Sequence, residues 1–354
     1  MNRMKIAFFG CGVIGGAVGA WISAVNEDTW LIDQGETAEA IKNGITVYQG
    51  DDKANTTVTV ATKLMEDLDM LVDMDVIAIG VKNYSLPGVA ELIKEKIGEK
   101  ELIIIGMANG RENQDVLPRY FKNVVYCVIA FNGWIDRPGV VGYQKRGPLI
   151  FGTLDNGLQV EMKSVQEVFN KGVETIITDE IQNAVHSKMC INLTNSVTTL
   201  VGLGYGKAQG APKDYPISDM AILQKVLSHT LYEGVLILKA AGYKECSLGG
   251  MPTWSTLKLA VTLPRFLTKG TFNKNLKKMQ LASMAQDVLV YKRKSNELEG
   301  LNGYFVQLAK KYNVPAPYNE AIYELAKEKF QDPETFEPMD VKDVFARIQS
   351  LIAA

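Results

Sequence analysis

Lys5-Ile6-Ala7-Phe8-Phe9-Gly10-Cys11-Gly12-Val13-Ile14-Gly15-Gly16-Ala17-Val18-Gly19-Ala20-Trp21-Ile22 reads as an apolar strand, a glycine turn and the first turns of a helix. A G-x-G-x-x-G string alone is a weak signal. Between the first strand and the first helix of a chain it is a strong one, because each part has a physical task. The glycines permit a tight turn and let backbone approach a pyrophosphate, and the helix N-terminus faces that negative charge. Gly10, Cys11, Gly12, Val13, Ile14 and Gly15 are therefore the expected dinucleotide-binding loop. The alternative is a glycine-rich turn with no ligand.

The next strand, Thr29-Trp30-Leu31-Ile32, ends at Asp33, 18 residues after Gly15. A carboxylate there accepts hydrogen bonds from the adenosine ribose hydroxyls. A 2'-phosphate would meet its charge and find no arginine in Gln34-Gly35-Glu36, so Asp33 favours NADH over NADPH. The competing reading is an aspartate that only caps the helix starting near Glu36.

Strand and helix patterns then alternate, which predicts a parallel, doubly wound sheet. Val76-Ile77-Ala78-Ile79-Gly80-Val81, Leu102-Ile103-Ile104-Ile105 and Val124-Val125-Tyr126-Cys127-Val128-Ile129 are near-continuous apolar runs, expected of strands buried on both faces. Residues 86–97 and 158–171 read as helices and 173–177 as the last strand. Lys82-Asn83 and Asn109-Gly110 follow two of these strands, at the edge where such sheets bind ligands; a solvated lysine is the plain alternative. Asp136-Arg137-Pro138-Gly139 signals a turn, with Val140-Val141 and Leu149-Ile150-Phe151 expected as antiparallel strands either side.

After Thr178-Asp179 the pattern becomes helical, with expected helices at 180–203, 217–241, 254–262, 275–294, 296–312, 317–329 and 340–352. This predicts a Rossmann domain over 1–178 and an all-α domain over 179–354, with the active site in the cleft between them, where small-molecule pockets tend to form. The first helix of the second domain has two faces. Cys190, Leu193, Val197, Leu200 and Val201 share one. Lys188, Asn192, Asn195, Ser196 and Thr199 share the other, where a surface helix would carry long charged groups. One reading is a solvated but uncharged side; the other is a row of short donors aimed at a polar ligand, with Lys188 its one charge. Ser283 and Asp287 share a helix face farther on, where capping or surface roles compete with function.

Net charge is -2, which gives no reason to expect nucleic acid or an anionic membrane as partner. The four cysteines, Cys11, Cys127, Cys190 and Cys246, form no CxxC pair and have no histidine cluster near them, so no metal is expected and a cytoplasmic location fits. Met1 to Lys5 lead straight into a strand, with no signal peptide expected. His186 and His229 are the only histidines, which removes most histidine-based mechanisms.

These motifs, taken in order, resemble the ketopantoate reductases, within the superfamily of 6-phosphogluconate dehydrogenase-like C-terminal domains. The landmarks run over nearly the whole chain: the glycine loop, Val81-Lys82, Asn109-Gly110 with Asn113 and Leu117, Gly139-Val140-Val141, Lys188 with Asn192 and Asn195, Ser283-Met284-Ala285-Gln286-Asp287, Glu297 before Leu301-Asn302-Gly303, and Val314-Pro315-Ala316-Pro317. The resemblance implies that NAD(P)H reduces a 2-oxo acid to a 2-hydroxy acid, with 2-dehydropantoate as the substrate. It implies Lys188 as general acid with Glu297 as its acidic partner. Asn192, Asn195, Ser196 and Ser283 match substrate positions; Lys82 and Asn109 match positions near nicotinamide and substrate. The expected partners are the small-molecule 2-oxo acid and, at most, a second copy in a homodimer. Asp33 departs from the family's usual basic residue for NADPH, Glu112 replaces a glycine, and His186 stands where tryptophan is frequent. These departures leave a second reading, an NAD-linked dehydrogenase of the same family acting on another 2-hydroxy acid of mandelate type. A third reading, of another class, is a non-catalytic dinucleotide sensor.

Overall fold

Eleven strands build two sheets among the described residues, 4–207, 215–279 and 281–353 of a computed structural model. Met1 to Arg3 of the N-terminal reading and Gln280 of the expected helix 275–294 lie outside them. In chain order the strands are β1 Ile6–Phe9, β2 Thr29–Ile32, β3 Ile45–Gln49, β4 Val58–Val60, β5 Val76–Ile79, β6 Ile103–Gly106, β7 Val124–Ile129, β8 Gly133–Arg137, β9 Val140–Tyr143, β10 Leu149–Gly152 and β11 Thr175–Ile177.

The larger sheet has the order β11-β10-β7-β6-β5-β1-β2. Its neighbours are parallel except β10, which runs antiparallel to β7. All residues of β5 and β7 are buried, as their unbroken apolar runs require of strands covered on both faces. Phe8, Phe151 and Phe169 form one aromatic group of this core, with ring centroids 6.1 and 5.4 Å apart around Phe169. β1 lies between β2 and β5, so strand order reverses there and opens the ligand crevice beyond its carboxyl end.

The smaller sheet, β4-β3-β9-β8, is not foreseen by the sequence reading. The turn at Pro138-Gly139 joins β8 to β9, not β9 to β10. β9 pairs with β3, some ninety residues earlier in the chain, and β10 enters the large sheet. Such pairings are non-local and leave no trace in hydrophobic period.

The chain divides into two compact units, Met1–Val185 and His186–Ala354. Among the described residues the second unit contains helices and no strand. Helices Trp254–Thr262 and Pro317–Lys329 lie where the periodicity puts them. Two expectations fail. The 180–203 helix is broken at Leu193 into Ile181–Asn192 and Thr194–Leu200. The 275–294 helix is replaced by Arg265–Lys278, a short turn at Ser283–Ala285 and a π turn at Gln286–Val290; a second π turn spans Glu299–Gly303. Each π turn adds a residue to its loop and shifts the 3.6 period used to read helices, and such turns recur at functional sites. No helix among the described residues is long and apolar enough to cross a membrane.

Candidate functional site

In the first unit the site grows from β1. Gly10 has φ +89, and a Cβ on it would lie 2.5 Å from Val81 Cγ1. A Cβ on Gly15 would overlap the Gly10 carbonyl oxygen, so both positions exclude any side chain. A Cβ on Gly12 would meet nothing within 4 Å, which leaves room for a ligand against bare backbone. Gly12 is the N-cap of helix Val13–Ser23; no side chain caps that end and its first turn holds no acid. This cradle fits a pyrophosphate, whose charge the uncapped amides and helix dipole would receive. Gly80 belongs to the same close approach, since a Cβ there would stand 2.8 Å from the Gly10 oxygen. The sequence reading took Gly80 only as part of a strand.

Asp33 is half-buried at the end of β2. Its Oδ2 accepts from the Cys11 amide at 2.6 Å and its Oδ1 from the Gln34 amide at 2.8 Å. The carboxylate thus braces the glycine loop and keeps lone pairs for further donors. The Cys11 thiol is buried near the Ile32 carbonyl; burial, reinforced by the Asp33 charge, pushes it far above the ordinary thiol range. Cys11 therefore offers no thiolate, and its amide is spent on Asp33.

Lys82 is half-buried after β5 and leads into the turn Asn83–Ser85. Two asparagines hold the loop after β6. Asn83 Nδ2 donates to the Asn109 carbonyl at 2.9 Å, and Asn113 Nδ2 to the Ala108 carbonyl at 2.6 Å. Lys82 and Asn109 are thereby brought to one edge of the sheet, beyond the carboxyl ends of adjacent strands, together with the glycine loop. Asn83 as the tie to Asn109 escapes the sequence reading, because its partner lies 26 residues away.

In the second unit Lys188 sits on helix Ile181–Asn192 at 7% exposure. Burial lowers its pKa from 10.5 to about 8, against the opposing pull of the Glu297 carboxylate. The two sequence-predicted catalytic residues are therefore electrostatic neighbours. Asn192 and Asn195 are half-buried and flank the break at Leu193. Ser283 is half-buried at the start of its short turn. Asp287, on the same segment, is 1% exposed and pairs with Arg293 at 3.3 Å, which gives it a structural role.

Ser196 and Thr199 differ from the expected polar row. Both have no exposed surface; the Ser196 hydroxyl donates to the Leu193 carbonyl at 3.0 Å and that of Thr199 to the Asn195 carbonyl at 2.7 Å. Their hydroxyls are satisfied by their own helix, a standard way for such residues to enter a core. With Ser196 and Thr199 buried, Lys188, Asn192 and Asn195 are what remains of the row. His186 is 1% exposed, stacked on Tyr243 with centroids 3.7 Å apart, and its Nε2 lies 2.8 Å from Tyr304 Oη.

The family model for ketopantoate reductase PanE/ApbA matches residues 6–156, and that for its C-terminal domain matches residues 180–330. Among curated relatives, the 2-dehydropantoate 2-reductase of Pyrococcus horikoshii is 26% identical over 92% of this chain and 97% of its own length. That of Lactococcus lactis is 22% identical over 92% and 98%. Among solved structures, a PanE/ApbA family ketopantoate reductase from Ralstonia eutropha superposes with TM-score 0.70 at 20% identity, covering 93% of this chain and all of the other. A D-mandelate dehydrogenase with NADH and anilino(oxo)acetate superposes with TM-score 0.68 at 19% identity, covering 99% of both. These structural likenesses establish the fold. With both halves matched in order, the chain belongs to the ketopantoate reductase family of NAD(P)-dependent oxidoreductases.

Proposed function

We propose that the chain reduces a 2-oxo acid to the corresponding 2-hydroxy acid, with 2-dehydropantoate as its substrate and NADH as its preferred reductant. The observation that carries this reading is a lysine buried to 7% exposure, its pKa lowered to about 8 by burial against the opposing charge of Glu297. Reducing a carbonyl needs a donor that is protonated at neutral pH and yields its proton readily, and a lysine with pKa near 8 meets both demands while its charge also faces the developing alkoxide.

The glycine loop and Asp33 would hold a nicotinamide cofactor, which would supply the hydride for the carbonyl carbon. As charge gathers on the carbonyl oxygen, the Lys188 ammonium opposes it and then gives it a proton, leaving a hydroxyl and a neutral amine. Glu297 counters the burial of the ammonium and keeps it protonated below pH 8. Asn192, Asn195 and Ser283 are the neutral donors for the substrate carboxylate and hydroxyl. Ser196 keeps its hydroxyl on the Leu193 carbonyl within the helix, and Thr199 bonds the Asn195 carbonyl. Lys82 and Asn109 serve the nicotinamide and substrate side of the sheet edge. Asp33 receives the ribose hydroxyls and disfavours a 2'-phosphate.

A second reading is an NAD-linked dehydrogenase for a mandelate-type acid. Asp33 and the likeness to D-mandelate dehydrogenase over 99% of the chain support it. A panel of 2-oxo acids assayed with NADH and NADPH separates the two. We expect highest kcat/KM for 2-dehydropantoate with NADH; a preference for an aryl 2-oxo acid would replace the first reading with the second. Binding of NADH with no reduction anywhere in the panel would favour a dinucleotide sensor over both. We also propose a homodimer located in the cytoplasm; a relative from Staphylococcus aureus is described as dimeric, and sedimentation of the purified chain tests the assembly.

A further inference from the structure

The segments that carry Lys188 and Glu297 are joined by two hydrogen bonds that the proposed chemistry does not use. Asn302 is fully buried, and its Nδ2 donates to the Leu193 carbonyl at 3.3 Å, at the break after Asn192. That carbonyl also accepts from Ser196, while the Leu193 amide is shared between the Met189 and Cys190 carbonyls at 3.2 Å each. The break is thus a fixed backbone feature with an outside donor on it. Asn302 belongs to the π turn Glu299–Gly303, and the Leu301 amide closes on the Glu297 carbonyl at 3.0 Å, so this turn grows directly from Glu297. On the other side of Lys188, the His186 ring meets Tyr304 Oη at 2.8 Å, one residue past the π turn. The two ties bracket Lys188 along its helix, at residues 186 and 193.

We propose that Asn302 is a positioning residue: by tying the turn that begins at Glu297 to the break after Asn192, it sets how closely the Glu297 carboxylate approaches Lys188, with the Tyr304–His186 bond as its counterpart. A carboxylate's effect on a buried ammonium falls with distance, so slack in these ties weakens the support of Glu297 for the charged lysine. The segment that meets this helix at Tyr243 and Cys246 carries Lys244 and Glu245, and Glu245 accepts from the Trp254 amide. Glu233 of helix Met220–Ala240 accepts from the Tyr318 and Asn319 amides, and His229 stacks on Tyr318. Asp287 pairs with Arg293, and Glu299 meets Tyr323 and Lys327. Among the described residues, Glu297 is the charge that acts on Lys188.

This inference rests on the assignment of Lys188 as general acid, but its test does not. The stability difference between a Lys188 chain and its Lys188→Met counterpart, followed against pH, reads the folded-state titration of Lys188 without turnover. In the Asn302→Ala background the pH at which this difference begins to close should fall by about half a unit or more, as the opposing carboxylate is lost. Tyr304→Phe should move it the same way and replaces Asn302→Ala if that chain does not fold. With Glu297→Gln already present, neither substitution should shift it further. An unmoved titration in both variants overturns the proposal, as does an equal shift in the Glu297→Gln background. The high-pH fall in kcat/KM should move in parallel. If the titration moves and the kinetic profile does not, the positioning role stands and the general-acid assignment fails.

Discussion

Lys188→Met tests the site through stability before any substrate is added. Burial holds the lysine pKa near 8 in the folded chain, against 10.5 when it is exposed. The folded chain therefore grips this proton less firmly than the unfolded one. Below pH 8 both states carry the charge and folding bears the full cost, about 3 kcal/mol at 1.36 kcal/mol per pK unit. Between 8 and 10.5 the folded chain releases the proton while the unfolded chain keeps it, and the cost declines; above that range it is gone. Methionine fills a similar volume without the charge. Glu297 loses the Lys188 charge but is only half-buried, so this offsets only part of the gain. Urea unfolding, followed by circular dichroism of the helical unit, should find the variant about 2–3 kcal/mol more stable at pH 6.5, with the advantage reduced to about 1 kcal/mol at pH 9.5. The same variant should show kcat lowered by about 10²-fold or more. A variant less stable than the parent at pH 6.5, or an advantage that does not change with pH, would refute the picture of an ammonium held against its solvation.

The remaining predictions concern chemistry and cofactor. kcat/KM for reduction should fall as pH rises through about 8, where Lys188 loses its proton, and the reverse oxidation should rise over the same interval; flat profiles from pH 7 to 9.5 would exclude Lys188 as the acid. Asp33→Ala should narrow the preference for NADH over NADPH by about tenfold, roughly 1.4 kcal/mol, and weaken both cofactors through the lost brace on the Cys11 amide. An unchanged ratio of the two dissociation constants counts against the ribose role. Gly15→Ala should raise the Kd for either cofactor by about tenfold or more, because its Cβ overlaps the Gly10 oxygen and must displace the loop; unaltered NADH titrations would show that the loop is not the binding element.

The first unit was legible because its signals are local. Strand, glycine turn and helix follow one another within residues 5–22, and runs such as 124–129 leave no polar residue to place a strand at a surface. What escaped is what depends on distant partners. β9 is the neighbour of β3 only because the chain returns past it, and Val140 and Val141 carry no mark of that choice. The two asparagines that hold the Ala108-Asn109 loop likewise look like ordinary loop residues until their carbonyl partners are seen.

The polar helix shows the same limit more sharply. Ser196 and Thr199 have the composition of a ligand-facing row, yet a hydroxyl can satisfy itself on the carbonyl three or four residues back and enter a core. A lysine cannot do this. Its ammonium finds no backbone acceptor that offsets the loss of water, so burying it costs folding energy unless another group answers its charge. That asymmetry is why, along one stripe, the buried hydroxyls need no further partner while a buried Lys188 does. It also explains the form of the second unit around Lys188: Glu297 supplies the answering charge, and the π turn that follows it, fastened by Asn302 to the break in the lysine's own helix, keeps that charge where folding without it would be more costly.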